Sequence, residues 1–295
     1  MQSELYNMLF DEMKSNLTLP PDQPDETEQS TLAALWHAAV GNPCSAKTSD
    51  RHTLEDLTET QQDDLRRMIA ERCAGRPLMQ ITKRANFMGL ELEFAPDVFI
   101  VRPETEILGN STVKILGGIK GPVMIEVGCG SGNLSCGISY KLPLLKVHAV
   151  DILQSCVDLT AKNVARYSLS DRVSIYKGDL FGPLENLGLE NTIDAVICNP
   201  PYIASSRLKT DRAYLTEYEP REAFDGGPFG FSLHQRLIKE SLRFLKAGGH
   251  LLFEFGAGQE KQVTGLINRA GGYDRIDFDT DPEGIARVVI ATKAG

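Results

Sequence analysis

The chain has 295 residues, 42% hydrophobic and 24% charged, with a formal net charge of −9. That length suits one large domain or a large and a small one, and no apolar run approaches the roughly 18 residues of a membrane span. The acidic balance weighs against general affinity for DNA or RNA, where Lys and Arg contacts to phosphate dominate.

The first residues, "MQSELYNMLFDEMK", lack a basic region and a clean apolar core, so no secretory signal is expected. Residues 19–30, "LPPDQPDETEQS", read as a surface loop. "STLAALWHAAVG" then predicts a helix, with Ser30 or Thr31 as N-cap and Gly41 as its stop. In "TETQQDDLRRMIAERCAG", Leu65, Met68, Ile69 and Cys73 recur at helical spacing and Gly75 closes the segment. Residues 1–84 thus form a small helical domain. From "ANFMGLELEFAPDVFIV" the period changes, and Phe87, Leu90, Leu92 and Phe94 predict a hairpin within a linker, residues 85–104. Over 105–295, strands such as "VMIEVG", "KVHAVDI", "VSIYKGD", "IDAVICN", "HLLFEFG" and "RVVIATK" alternate with helical stretches. That alternation predicts an α/β domain, a mostly parallel sheet with helices on both faces. Six scattered cysteines without CxxC pairs, and histidines without HExxH spacing, point to reduced thiols in a cytoplasmic protein and to no metal.

The first strand–helix turn, "MIEVGCGSGNLS", carries Gly128, Gly130 and Gly132, with Glu126 two positions before. Glycines here allow positive φ and a close approach of backbone to ligand, although such turns also serve packing alone. The next strand ends in Asp151, placed to accept hydrogen bonds from the two hydroxyls of a ribose. The third ends in "KGDLF", where Asp179 is a candidate acceptor for an adenine amino group and Leu180 a flank for its ring. Alone, each aspartate reads equally well as a helix N-cap. Together, at consecutive strand ends, they favour a cofactor containing a nucleoside. Dinucleotide folds use G-x-G-x-x-G to bring a pyrophosphate to a helix N-terminus. The G-x-G-x-G spacing with a preceding acid instead resembles the class I S-adenosylmethionine-dependent methyltransferases, leaving NAD as the minor reading.

The fourth strand ends in "VICNPPYIA". Two prolines remove two backbone donors, so the element stops at Asn199. As a site, the stretch suits a planar amide or exocyclic amine, whose lone pair is delocalised and weakly nucleophilic. The Asn199 side-chain oxygen and the Pro200 carbonyl can accept its two N–H bonds, and Tyr202 can stack on its plane. The plainer reading is a strand terminator.

These residues resemble the N-P-P-Y amino methyltransferases. The flanking "GRPLMQITKRANFMGLELEFAPDVFIVRPETE", "YEPREAFDGG", "HLLFEFGAGQ" and "DPEGIARVV" are similar to segments of the peptide chain release factor glutamine methyltransferases, the HemK type. The resemblance implies a helical N-terminal domain that docks the protein partner, a hairpin linker and a Rossmann-like methyltransferase domain. It also implies methylation of the glutamine in the Gly-Gly-Gln motif of a release factor. Glu126, Gly128, Cys129, Gly130, Ser131, Gly132, Asp151, Asp179, Leu180 and Asn199 would then serve S-adenosyl-L-methionine. Asn199, Pro200 and Tyr202 would carry catalysis, with Pro201, Phe229 and Phe231 beside the acceptor. The chain departs from the family pattern at Val101, where proline is usual before Arg-Pro. Phe229 and Phe231 fall where Asp-Gly-Leu is usual, and His234 where tyrosine is common. Such departures fit either drift or a changed acceptor, a small-molecule amine or amide nitrogen. Methylation of adenine or cytosine would require base flipping and a basic groove. A catalytically silent scaffold would bind cofactor without turnover.

Overall fold

Thr27 and Thr58 each open a helix with a reciprocal capping box. The Thr27 hydroxyl accepts the Ser30 amide at 3.1 Å while Ser30 Oγ accepts the Thr27 amide at 2.8 Å. These caps start two of the helices in a computed structural model that describes residues 2–210 and 217–295. The chain divides into two compact units, Met1–Pro96 with Ile100–Pro103, and Asp97–Phe99 with Glu104–Gly295.

The first unit holds α1 (Gln2–Lys14), α2 (Glu28–Ala39), α3 (Glu59–Cys73) and the short α4 (Leu78–Thr82). Helix α2 thus begins earlier than the sequence suggested, because Ser30 is the N3 partner of the Thr27 box rather than the cap itself. Leu9, Met13, Leu32, Leu35, Trp36, Leu65 and Leu78 pack into one apolar core, each such side chain contributing on the order of 1.5–3 kcal/mol of burial. The acidic loop before α2 is tied down, since Glu26 is buried against Arg72 at 2.6 Å. Strands β1 (Arg84–Phe87) and β2 (Leu90–Glu93) form the expected hairpin. Its two turn residues, Met88 and Gly89, both take positive φ (50° and 88°), as a tight primed turn requires.

The second unit runs α5 (Thr105–Leu116), β3 (Val123–Val127), α6 (Asn133–Lys141), β4 (Lys146–Asp151), α7 (Gln154–Arg166), β5 (Val173–Lys177), β6 (Ile193–Cys198), α8 (Ser232–Phe244), β7 (Leu245–Glu254), α9 (Glu260–Ala270), β8 (Tyr273–Thr280) and β9 (Ala286–Lys293). The sheet order is β5-β4-β3-β6-β7-β9-β8. The first five strands are parallel, and β9 lies antiparallel to both β7 and β8. All six residues of β6 are buried, as expected where helices cover both faces. Strand β8, "YDRIDFDT", went unread in the sequence because an edge strand with one open face tolerates alternate charges. The order reverses between β3 and β6, and that switch point opens a crevice at the carboxyl ends of the strands.

Candidate active site

The register fixes what meets at that crevice. Val127 of β3 pairs with Val150 of β4 on one side and with Cys198 of β6 on the other. The residues that follow these three, Gly128, Asp151 and Asn199, therefore emerge side by side. Beyond β3 the chain turns back on β4, with the Gly128 and Cys129 amides donating to the Val150 carbonyl at 2.8 and 3.0 Å.

The three glycines of the loop do two jobs. Gly128 and Gly130 have φ of +71° and +56°, and a Cβ on either would meet no atom within 4 Å, so their surroundings are open. Gly132, at φ +76°, has Thr160 of α7 where its Cβ would stand, at 2.9 Å from Cγ2 and 3.1 Å from Cα. Its role is close packing of helix on loop. Helix α7 holds the loop further: Thr160 Oγ1 donates to the Gly130 carbonyl at 3.1 Å and Asn163 Nδ2 to the Ser131 carbonyl at 2.9 Å. The Cys129 and Ser131 side chains turn inward, 1% and 2% exposed. Burial pushes the Cys129 thiol well up, with the charges of Glu126 and Asp151 adding to it, which makes it inert at neutral pH.

Asp151 is 7% exposed. Its Oδ2 accepts the Gly130 amide and its Oδ1 the Leu153 amide, both at 2.9 Å. The carboxylate thus joins the glycine loop to the start of α7, and the Cys156 thiol and the Ile152 amide add to its hydrogen bonding. Burial raises its pKa and these backbone donors oppose the rise. Ile152 follows, 59% exposed, an apolar surface that the sequence reading passed over.

Two of the expected cofactor contacts, Glu126 and Leu180, are buried, and a third, Asp179, is ion-paired at the surface. Glu126 is 1% exposed and receives the Ser135 hydroxyl of α6, so its carboxyl lies beneath the loop instead of lining the crevice. Burial lifts its pKa to about 8, with Ser135 opposing. Leu180, in the left-handed region at φ 48°, is 4% exposed and packs in the core with Val127, Val150 and Phe181. Asp179 accepts Arg236 Nη1 of α8 at 2.9 Å. The Gly178 amide donates to the Asp151 carbonyl at 2.9 Å, which keeps the end of β5 against the end of β4.

Asn199 is half-buried, and its Nδ2 donates to Thr105 Oγ1 at 3.0 Å. Thr105 in turn donates to Glu254 Oε2 at 2.8 Å. After the prolines the chain pairs again: Ile203 and Asp225 form a parallel bridge, and Ser205 donates its amide to the Gly227 carbonyl at 2.9 Å. Gly226 and Gly230 are in backbone contact, and a Cβ at Gly230 would lie 2.6 Å from the Tyr202 carbonyl oxygen. The "GGPFG" loop therefore clasps the Tyr202 backbone. Phe229 at its tip is 84% exposed. Phe231 instead packs on the core, 5.6 Å from the His234 ring, so it is spent on packing. His234 is fully buried and neither nitrogen makes a hydrogen bond of normal geometry. Sequence reasoning placed Thr105 and Glu254 inside the family-like "RPETE" and "EFGAG" stretches but gave them no part in the site.

The residues at the crevice fit S-adenosylmethionine. Gly128 and Gly130 leave room beside their backbone, and the Asp151 carboxylate stands at the neighbouring strand end. Among the described residues no group of three or more His, Cys, Asp or Glu is placed to hold a metal. No helix among them is long and apolar enough to cross a membrane.

The fold, with its glycine loop after the first sheet strand, is that of the class I methyltransferases. Residues 111–215 match the family model described as "Methyltransferase small domain". The catalytic domain of hMettl16, solved with a MAT2A 3′UTR hairpin, superposes with a TM-score of 0.53 at 16% identity, over 69% of this chain and 76% of that one. The release factor glutamine methyltransferase of Rhodopirellula baltica is 33% identical over 80% of this chain and 80% of its own. That of Geobacter sulfurreducens is 31% identical over 76% of each. The chain belongs to the release factor glutamine methyltransferase family.

Proposed function

We propose that this protein transfers a methyl group from S-adenosylmethionine to the side-chain amide nitrogen of the glutamine in the Gly-Gly-Gln motif of a peptide chain release factor. The observation that carries the reading is the register that sets Asn199 beside Gly128 and Asp151 at one sheet end. When bound, S-adenosylmethionine supplies an electrophilic methyl group on a sulfonium.

The chain's own residues do the rest. The backbone at Gly128 and Gly130 takes the cofactor's amino-acid end, and Asp151 accepts its ribose hydroxyls. Asn199 Oδ1 and the Pro200 carbonyl accept the two N–H bonds of the glutamine amide, which turns the π face of the nitrogen toward the methyl. Tyr202 stacks on the amide plane and Pro201 keeps the loop rigid. These oriented dipoles stabilise the positive charge that develops on nitrogen. The proton is then acidic enough to leave without a strong base.

Phe229 contacts the protein acceptor, and the helical first unit docks the rest of it. The reaction belongs to the cytoplasm, where release factors work. Incubation with labelled cofactor and a recombinant release factor, against its Gln→Ala variant, tests the proposal. Label on the intact factor alone is expected. No label on either overturns the reading and turns the search to small-molecule nitrogens. Asn199→Ala should abolish transfer while costing the cofactor about tenfold in affinity at most, the scale of one hydrogen bond. Turnover near the unmodified level would refute the role given to Asn199.

A further inference from the structure

The amide of Asn199 has two ends, and only one is useful. An acceptor nitrogen carrying two N–H bonds needs the Oδ1 end. If the amide were turned by 180°, its NH2 would face the NH2 of the substrate, donor against donor. Something must choose between the two orientations, which differ little in shape.

The choice is made by two residues far away in sequence. Thr105 is the first residue of α5, and Glu254 the last of β7, where it is paired with Val288 of β9. Cys198, just before Asn199, pairs with Phe253, just before Glu254, so the two side chains emerge from adjacent strand ends. Thr105 is 2% exposed and Glu254 is 6% exposed. The contacts run Asn199 Nδ2 to Thr105 Oγ1 at 3.0 Å and Thr105 Oγ1 to Glu254 Oε2 at 2.8 Å.

A carboxylate can only accept hydrogen bonds. Thr105 has one hydroxyl proton and gives it to Glu254. Its oxygen is then left only as an acceptor, so the group that Asn199 presents to it must be the NH2. The Oδ1 end is held on the other side. We propose that Thr105 and Glu254 are positioning residues that set the orientation of the Asn199 amide, with Glu254 fixing the polarity of the whole chain of bonds. This rests on the reading that Asn199 holds the acceptor nitrogen.

Thr105→Val keeps the shape and removes the hydroxyl. It should lower kcat on the release factor by on the order of 10²-fold, the cost of misplacing a reacting group. The KM for the factor and the calorimetric affinity for S-adenosylmethionine should change little. Thr105→Ser, which restores the hydroxyl, should recover most of the loss. Glu254→Gln should also lower kcat, because its amide can donate as well as accept and no longer dictates polarity. Equal kcat for Thr105→Val and the unmodified protein would overturn the proposal, as would a Ser variant as impaired as the Val variant. A readout without turnover separates this from the substrate assignment. With selective 15N-asparagine labelling, the Asn199 side-chain amide protons should be shifted and protected in the unmodified protein and in Thr105→Ser, and lose both features in Thr105→Val. Unchanged amide signals in Thr105→Val would refute the relay whatever the acceptor proves to be.

Discussion

Replacing Glu126 by Gln tests whether its carboxyl lies under the glycine loop as a neutral group. The substitution keeps the size and a hydrogen-bonding partner for Ser135 but removes the titration. Burial lifts the Glu126 pKa from 4.5 to about 8. A folded-state pKa above the unfolded value stabilises most at low pH, and the benefit is lost as pH rises through the folded value. At about 1.4 kcal/mol per pH unit, the full span corresponds to roughly 5 kcal/mol. Between pH 6 and pH 8 the Glu126 contribution should fall by about 2 kcal/mol. Urea denaturation followed by far-UV circular dichroism at those two pH values reads this directly. Glu126→Gln should gain about 2 kcal/mol relative to the unmodified protein over that interval. Its cofactor affinity should stay close to normal, because the carboxyl does not line the crevice. An identical pH dependence in the two proteins would mean that Glu126 titrates as an exposed acid, and would refute the buried placement.

Gly132→Ala should destabilise the protein by about 2–4 kcal/mol, through left-handed strain and the collision with Thr160. Thr160→Ser in that background should recover part of the loss in thermal melts, since Cγ2 is the nearest obstacle. Burial lowers the His234 pKa to about 4, with the nearby Glu254 main chain only softening the effect. Its stabilising share is present above the ordinary value of 6.5 and is lost as pH falls toward 4, amounting to about 2 kcal/mol by pH 5. His234→Phe should lack that acid-side loss in denaturant titrations at pH 7.5 and pH 5. Phe229→Ala, at an 84% exposed tip, should leave stability within about 0.5 kcal/mol. It should raise the KM for a protein acceptor about 3- to 10-fold in steady-state assays, as loss of an aromatic anchor does.

Much of the sheet was legible because buried parallel strands are written as continuous apolar runs. "VMIEVG", "KVHAVDI" and "IDAVICN" could hardly be anything else, and their ends named the glycine loop, Asp151 and Asn199. The hairpin was legible from the alternation of Phe87, Leu90, Leu92 and Phe94, all of which are buried. Strand β8 was not, because its charges suit an open edge. The cap of α2 was misplaced because Ser30 and Thr27 are both good caps, and only the backbone shows which accepts from which. The pairing of Asp179 with Arg236, and the path from Asn199 through Thr105 to Glu254, join residues 57, 94 and 149 positions apart. No local pattern records such meetings. The loop glycines were read as one motif, yet packing divides them into two that open space and one that fills it.

The clasp on Tyr202 has a consequence for how this protein can change. Gly226 and Gly230 meet backbone to backbone, and Gly230 rests on the Tyr202 carbonyl, so neither admits a side chain. Pro228 and Phe229 between them are exposed. The loop is a fixed frame with a replaceable tip. Under the proposed function, substitutions at the tip alter which surface the protein grips without disturbing the strand end at Asn199, so recognition and chemistry are free to evolve separately.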